Sequence, residues 1–217
     1  MTTPIVTVRG EAELEVPPDL AALRITLHGS GSDARSVWAA LSRAGDGLTA
    51  LLDRHAAAIE ERATVHAHVS PVFGRRGQTK ITGYRGSRQT RVVVHDFEAL
   101  SPLLLGVAEL PDAQADGPEW SLRRDNPAHR EARLAAIEDA RSRAADYAAG
   151  FGGRISELIE VSDLDDPGHG GGPRPMALFA RGSGPEADQI ELQLEPEPQR
   201  VTGRITVRFG LAAVSVG

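Results

Sequence analysis

The sequence predicts an α+β fold in which a mainly antiparallel sheet packs against one long helix and one or two shorter helices. Two kinds of pattern predict it. Several segments alternate apolar and polar residues with period two, as half-buried strands do. Other segments repeat apolar residues every three or four positions, as amphipathic helices do. Strands and helices do not alternate regularly along the chain, so antiparallel pairing is favoured over a parallel βαβ sheet.

The first two elements are expected to be strands. Residues 4–16 alternate strictly, with a glutamate at every second position over 11–15. Two prolines and an aspartate at 17–19 end this strand, because proline cannot donate to a strand ladder. Residues 20–28 then resume the extended pattern.

A helix is expected next, over residues 34–55. Asp33 precedes it and is a favourable N-cap residue. Gly45 and Gly47 weaken the middle of the helix and allow a kink there. The apolar stripe has spacings of three and four and consists of Val37, Leu41, Ala44, Leu48 and Leu51.

The middle of the chain predicts a hairpin, a short helix and a short strand. Two strands at 63–73 and 79–95 flank the turn-forming residues 74–77. The short helix is expected over 96–108 and the short strand over 118–124.

The longest helix is expected to begin at Asn126 and Pro127 and to end at the glycines 152–153. Residues 154–162 and 189–216 return to extended patterns. The small alanines of the helix allow close packing on a sheet. Its predicted buried face consists of Ala132, Ala136, Ala140, Ala144, Tyr147 and Phe151.

Residues 163–188 predict a flexible loop within a single domain that spans residues 1–217. The segment is rich in glycine, proline and aspartate and shows no periodicity. A loop of this length inside a compact domain is either functional or mobile.

Composition excludes several classes of function. Cysteine is absent, which excludes disulfides, zinc–thiolate sites and thiol catalysis. The net charge of −6 and the aromatic content of 4% argue against a nucleic-acid-binding protein. No apolar run approaches the roughly 18 residues that a membrane-spanning helix needs.

The charges divide into two blocks of opposite sign. Residues 62–95 hold seven basic residues and no acid, whereas residues 155–199 hold ten acids and two arginines, a net charge of −8. These blocks are either solvated or neighbours within one chain, or they dock between subunits of a homo-oligomer with a ring-like arrangement. A third reading, a polyanion-binding hairpin, conflicts with the negative net charge. The candidate interface residues on the basic hairpin are Arg75, Arg76, Lys80, Arg85, Arg88 and Arg91.

Histidines on the same hairpin offer a candidate metal site. His66 and His68 lie two apart on a strand, so their rings share a face, and His95 on the neighbouring strand is a conceivable third ligand. A plain surface pair is the competing interpretation. Acidic residues at the start of the long loop (Asp163, Asp165 and Asp166) do not match the spacing of a calcium-binding EF-hand.

One further motif points towards hydrolase chemistry. His169 precedes three glycines, as in the oxyanion hole of some esterases. That chemistry also needs a serine within Gly-x-Ser-x-Gly, and this pentapeptide does not occur. We therefore predict no catalytic residues and no cofactor.

The first residues show no basic segment before an apolar stretch, so they do not resemble a secretory signal. Cytoplasmic residence is the resulting expectation, and the absence of cysteine agrees with it.

Four segments together resemble the SIMPL-domain family. They are the opening strand over 6–19, the Ile-Thr-Gly-Tyr stretch that begins at Ile81, the alanine-rich helix over 132–152 and the final strand over 201–209. The resemblance runs nearly from end to end and in the same order. It implies one α+β domain that tends to assemble into rings or channel-like homo-oligomers, and it supplies no catalytic residues.

We therefore predict a non-enzymatic SIMPL-domain protein that acts as a self-assembling scaffold or protein-interaction module. The alternative is a small-ligand or metal-binding protein that uses either the His66, His68 and His95 face or the loop over 163–188.

Overall fold

The structure, a computed structural model, describes residues 3–74, 80–163 and 194–213. The described residues form two compact units. Unit 1 holds residues 3–16, 124–163 and 198–213, and unit 2 holds residues 17–123 and 194–197. The prediction of a single domain over residues 1–217 stays a prediction.

Seven strands and three α-helices lie within the described residues, and they follow the predicted order. The α+β class, with antiparallel pairing throughout these elements, is confirmed. The elements are β1 (Ile5–Val16), β2 (Leu20–Gly31), α1 (Ala34–Arg54), β3 (Ile59–Phe73), β4 (Ile81–Val94), α2 (Leu100–Ala108), β5 (Ala113–Ser121), α3 (Pro127–Gly150), β6 (Arg154–Ser162) and β7 (Gln199–Ala212).

Two strands differ clearly from their predicted bounds. β7 begins at Gln199, and residues 194–198 of the predicted extended segment 189–216 form no strand. β5, predicted over 118–124, runs over Ala113–Ser121 and pairs with β2 from Ser121 opposite Leu20 to Ala113 opposite Leu27, with Pro118 inside it. Proline is tolerated here because β5 is an edge strand of its sheet.

Unit 2 is a four-stranded sheet in the order β3-β4-β2-β5. Alternate residues of β2 and β4 form a core with α1 and α2 on one face of this sheet. The largest fully buried side chains are Leu23, Ile25, Leu27, Val37, Leu41, Val92, Val94, Leu100, Leu103 and Val107.

Helix α1 begins where the sequence predicts. The Asp33 carboxylate accepts a hydrogen bond from the backbone N–H of Ser36 at 2.9 Å, which satisfies one of the free donors at the helix start. This hydrogen bond lowers the pKa of the Asp33 carboxyl. Gly45 is buried in the helix and Ala44 is only half-buried, whereas the other four predicted stripe residues are buried as expected.

Replacing Asp33 by alanine is expected to lower the urea midpoint of unfolding at neutral pH, whereas Asp33→Asn retains the cap and most of the stability. Because the pKa is lower in the folded protein, ionised Asp33 stabilises the fold at neutral pH. That contribution is lost as the pH falls through the lowered pKa. Urea titrations of both variants at neutral and acidic pH measure this. A constant difference between wild type and Asp33→Ala down to the lowest pH would contradict it.

Unit 1 is a three-stranded sheet in the order β1-β7-β6 with α3 on one face. Helix α3 lies very close to the sheet at two strand glycines. A Cβ on Gly203 would overlap the backbone carbonyl of Ala132, and a Cβ on Gly10 would lie 2.8 Å from the Cβ of Ala140. The contact uses an alanine at every fourth position, namely Ala128, Ala132, Ala136, Ala140, Ala144 and Ala148.

The prediction that Tyr147 and Phe151 line the buried face of α3 is wrong. Tyr147 is 57% exposed and Phe151 is 54% exposed, and Ala148 takes the buried position instead. The physical reason is the spacing of the buried stripe, which is four residues throughout. Ala148 continues it after Ala144, whereas Tyr147 and Phe151 follow the stripe residues by three and point to one side of the contact.

Within the described residues, no helix combines the length and the apolar character needed to cross a bilayer. The predicted flexible loop over 163–188 lies outside the described residues except for Asp163.

Candidate functional site

The structure brings His66 and His68 together on the face of the unit 2 sheet opposite α1. His66 Nε2 and His68 Nδ1 lie 3.1 Å apart, and both residues are exposed. Two nitrogens that hold one zinc ion tetrahedrally at about 2.05 Å lie about 3.3 Å apart. The observed spacing is therefore close to what a shared metal ion requires.

The structure does not bring His95 to this pair. His66 lies opposite Gln89, and His95 is six residues further along, beyond the end of β4, which corresponds to about 20 Å of strand. Among the described residues, no group of three histidines or carboxylates is placed to hold a metal ion.

A different histidine shares the face. His28 on β2 lies opposite Ser87 on β4, and Ser87 lies opposite His68 on β3. Strands lie about 4.8 Å apart, so the backbones of His28 and His68 are about 10 Å apart. His28 was not among the predicted site residues, because residue spacing does not predict the strand order that places β2 beside β4.

Ser87 and the histidine pair do not form a hydrolytic triad. Ser87 Oγ lies 3.2 Å from His68 Nδ1, the same nitrogen that contacts His66. In a triad the nucleophile and the orienting group contact opposite nitrogens of the histidine ring. The candidate oxyanion motif at His169, together with Asp165 and Asp166, lies outside the described residues.

Two basic residues of the hairpin, Lys80 and Arg85, are exposed. Among the described residues, no carboxylate lies within 4.0 Å of either side chain. Arg75 and Arg76 lie outside the described residues.

The other two predicted interface residues have contacts within unit 2. Arg91 pairs with Glu61 at 3.6 Å. Arg88 faces α1 and is half-buried, with its guanidinium at the position that a Cβ on Gly45 would occupy. Its Nη2 donates to Thr64 Oγ1 at 3.3 Å. The use of the hairpin as a subunit interface stays a prediction.

An exposed apolar pair lies beside the free cations. Phe73 and Ile81 are partners at the end of the hairpin and are 55% and 45% exposed. Ile81 and Arg85 lie four residues apart on β4, with a register shift of the β3–β4 pairing between them. We call Phe73, Lys80, Ile81 and Arg85 the hairpin surface.

Strand β6 also carries exposed apolar residues. Leu158 is 59% exposed and Val161 is 52% exposed. β6 is an edge strand, so its outer side has no partner strand within the described residues. Glu157 lies opposite Gly210 and Leu158 lies opposite Phe209, so their side chains are on opposite faces of this edge strand. Glu157 has no cation within 4.0 Å in the described part of the chain. We call Glu157, Leu158 and Val161 the β6 surface.

The strand β6 was predicted from the sequence, but the exposure of its apolar side chains was not. One feature of the sequence could have indicated that exposure. Leu158 and Ile159 are adjacent, which places one large apolar side chain on each face of the strand. A strand of that kind is either buried on both faces or exposes apolar area, and only the sheet order shows that β6 lies at an edge.

The molecule is thus an α+β protein in which, among the described residues, the β3–β4 hairpin and the edge strand β6 both expose apolar side chains and carry unpaired charges of opposite sign. It belongs to the SIMPL family, described as a protein of unknown function (DUF541), which it matches over residues 6–209.

Two kinds of relatives show the similarity. The chain is 28% identical to the 26 kDa periplasmic immunogenic protein of Brucella melitensis over 188 residues, which cover 82% of this chain and 71% of the relative. It is 23% identical to the uncharacterized protein YggE of Edwardsiella ictaluri over 160 residues, which cover 73% of this chain and 67% of the relative. The protein of Brucella abortus with the same name as the first is also 28% identical.

Proposed function

We propose that this SIMPL protein is a non-enzymatic scaffold that assembles with further copies of itself through the hairpin surface and the β6 surface. One observation carries the proposal. Large apolar side chains are exposed at both places, which also carry unpaired charges of opposite sign. Exposed apolar area with a polar surround is typical of protein–protein contacts.

The two surfaces complement each other. Phe73 and Ile81 offer apolar area beside Lys80. Leu158 and Val161 offer apolar area on the edge strand whose other face carries Glu157. The two sequence segments that contain these surfaces also have charges of opposite sign, with no acid over 62–95 and a net charge of −8 over 155–199. Opposite fields increase the rate of association and set its register.

The geometry of such a contact is head-to-tail. Because the two surfaces are different, each copy retains one free surface after the first contact. Repetition then closes into a ring or continues as a filament.

Sedimentation velocity over a range of concentrations tests the proposal. We expect species larger than the 23.1 kDa monomer at low salt, with association weakened but not abolished at high salt. A strict monomer at low salt and high micromolar concentration would refute self-assembly.

Reversing the free charges of the hairpin surface is expected to weaken association. Lys80→Glu with Arg85→Glu places acidic side chains opposite the acidic β6 surface. The loss of association should become smaller at high salt, because salt screens the repulsion. Arg130→Glu with Arg133→Glu on α3 is the matched control, since both residues are exposed and the change in net charge is equal. Equal weakening in both variants would show that only net charge matters.

A metal-binding role is the second candidate, and the 3.1 Å spacing of the His66 and His68 nitrogens favours it. Zinc titration by calorimetry is expected to show binding that His68→Ala removes. His95→Ala should leave the binding unchanged, because His95 lies beyond the far end of β4. Equal binding by wild type and His68→Ala would eliminate this site.

The cellular compartment stays a prediction. Two of the relatives carry the word periplasmic in their names, so the periplasm and the cytoplasm are the two compartments to compare. Cell fractionation with an antibody against the native protein distinguishes the two.

A further inference from the structure

A cavity of about 260 Å³ lies between α1 and the strands β3 and β4 of unit 2. Its polar lining consists of Thr49 from α1, Arg62 and Thr64 from β3, and Arg88 and Thr90 from β4. Among the residues that the structure describes, no acidic residue lines it. The cavity lies on the α1 side of the sheet, whereas the histidine pair lies on the opposite side.

Arg88 has no acidic partner in this cavity. Its guanidinium is half-buried against Gly45, and no carboxylate of the described residues lies within 4.0 Å of it. Its hydrogen bond to Thr64 Oγ1, at 3.3 Å, uses one of five N–H donors. Partial burial of a cation without an anion is unfavourable. Arg62, in contrast, is paired with Asp53.

Thr90 provides an independent observation. The residue is 6% exposed, and its Oγ1 is the buried side-chain oxygen that finds no hydrogen-bond partner in the described part of the chain. Buried hydroxyls are nearly always hydrogen-bonded, so an exception needs an explanation. Thr90 lies two residues from Arg88 on the same face of β4 and lines the same cavity.

We propose that this cavity binds a small molecule through its oxyanion, a carboxylate or a phosphate group, with Arg88 and Thr90 as the ligand-binding residues. Arginine presents parallel N–H donors that match two oxygens of either group. The Thr90 oxygen has less than 1 Å² of accessible surface, so a rotation of its side chain would bring the hydroxyl to the same anion and give it the partner that it lacks. Leu48 and Leu52 also line the cavity and would contact a short apolar portion of the ligand.

The volume limits the ligand. Cavities that hold drug-sized molecules measure about 300–1,000 Å³, so 260 Å³ suits a molecule of only a few carbon atoms. The glycine at position 45 is part of the same arrangement, since any larger residue would displace the Arg88 guanidinium.

Calorimetric titration of the full chain with sodium butyrate and with inorganic phosphate, at constant ionic strength, tests the proposal. We expect at least one probe to bind at millimolar concentration. Tighter binding of butyrate identifies a carboxylate ligand, and tighter binding of phosphate identifies a phosphate ligand. Absence of binding by both probes overturns the proposal.

Three variants test whether the bound probe lies in this cavity. Arg88→Gln is expected to weaken binding about tenfold or more, because it removes the charge-assisted hydrogen bonds. Thr90→Val keeps the shape and removes the hydroxyl, and should weaken binding severalfold without loss of thermal stability. Gly45→Ala should weaken binding while the helix is maintained, since alanine favours the helical state.

Arg85→Gln is the matched control. Arg85 lies three residues from Arg88 on the same strand, is exposed and also has no acidic partner among the described residues. It should bind the probe as wild type does. Equal affinity of wild type and Thr90→Val, or equal losses in Arg85→Gln and Arg88→Gln, would overturn the assignment to this cavity. None of the cavity residues belongs to the two proposed assembly surfaces. A chain that stays monomeric would therefore refute the proposed self-assembly without affecting this binding test.

Discussion

Replacing Gly203 by alanine is expected to lower the free energy of unfolding by about 3 kcal/mol. The added Cβ would overlap the backbone carbonyl of Ala132 in α3. A flexible side chain could move aside at little cost, but a helix backbone can move only by lifting α3 from the sheet. That movement would open the contacts that its alanines make with β1 and β7.

Urea denaturation followed by far-UV circular dichroism measures this effect. Gly150→Ala is the matched control, because no atom lies within 4 Å of a Cβ at that position of α3. Alanine is also favoured over glycine in a helix, so this control is expected to be neutral or slightly stabilising. Equal midpoints for Gly203→Ala and wild type would contradict the close packing of α3.

Replacing Leu158 and Val161 by threonine is expected to convert the assembly into monomers. Both side chains are more than half exposed in the single chain, so the substitution removes apolar area from the proposed contact and not from the core. Threonine is favourable in strands, which preserves β6 itself. Interfaces depend on a few apolar anchors, so two such losses have a large effect.

Sedimentation velocity at one concentration and salt compares this variant with wild type. Leu134→Gln is the control, because Leu134 is an exposed leucine on α3, 47% exposed, and lies outside both proposed surfaces. A β6 variant that associates as strongly as wild type would exclude the β6 surface from the contact.

Most of the fold of this protein was predictable because its elements have clear periodicity. The alternation in β1, the Asp33 cap of α1 and the asparagine–proline start of α3 are local signals, and local contacts produce them. The prediction for Tyr147 was wrong because spacings of three and four both fit an amphipathic helix, and only the packing against the sheet shows that the buried stripe keeps a spacing of four up to Ala148.

The candidate sites were less predictable, because they depend on which strands are neighbours. His66 and His68 could be paired from their spacing alone, whereas the position of His28 requires the order β3-β4-β2. Gly45 illustrates the same limit. The sequence predicts a weak point in the helix there, and the structure shows the space occupied by the guanidinium of Arg88.

A mixing experiment tests the head-to-tail assembly most directly. The hairpin variant, Phe73→Thr with Ile81→Thr, retains a native β6 surface, and the β6 variant retains a native hairpin surface. Each alone is expected to be monomeric, but an equimolar mixture can form one native contact and no more. Sedimentation of the mixture should therefore show a dimer with one copy of each variant and no larger species. A mixture that stays monomeric, while wild type assembles, would contradict head-to-tail pairing of these two surfaces.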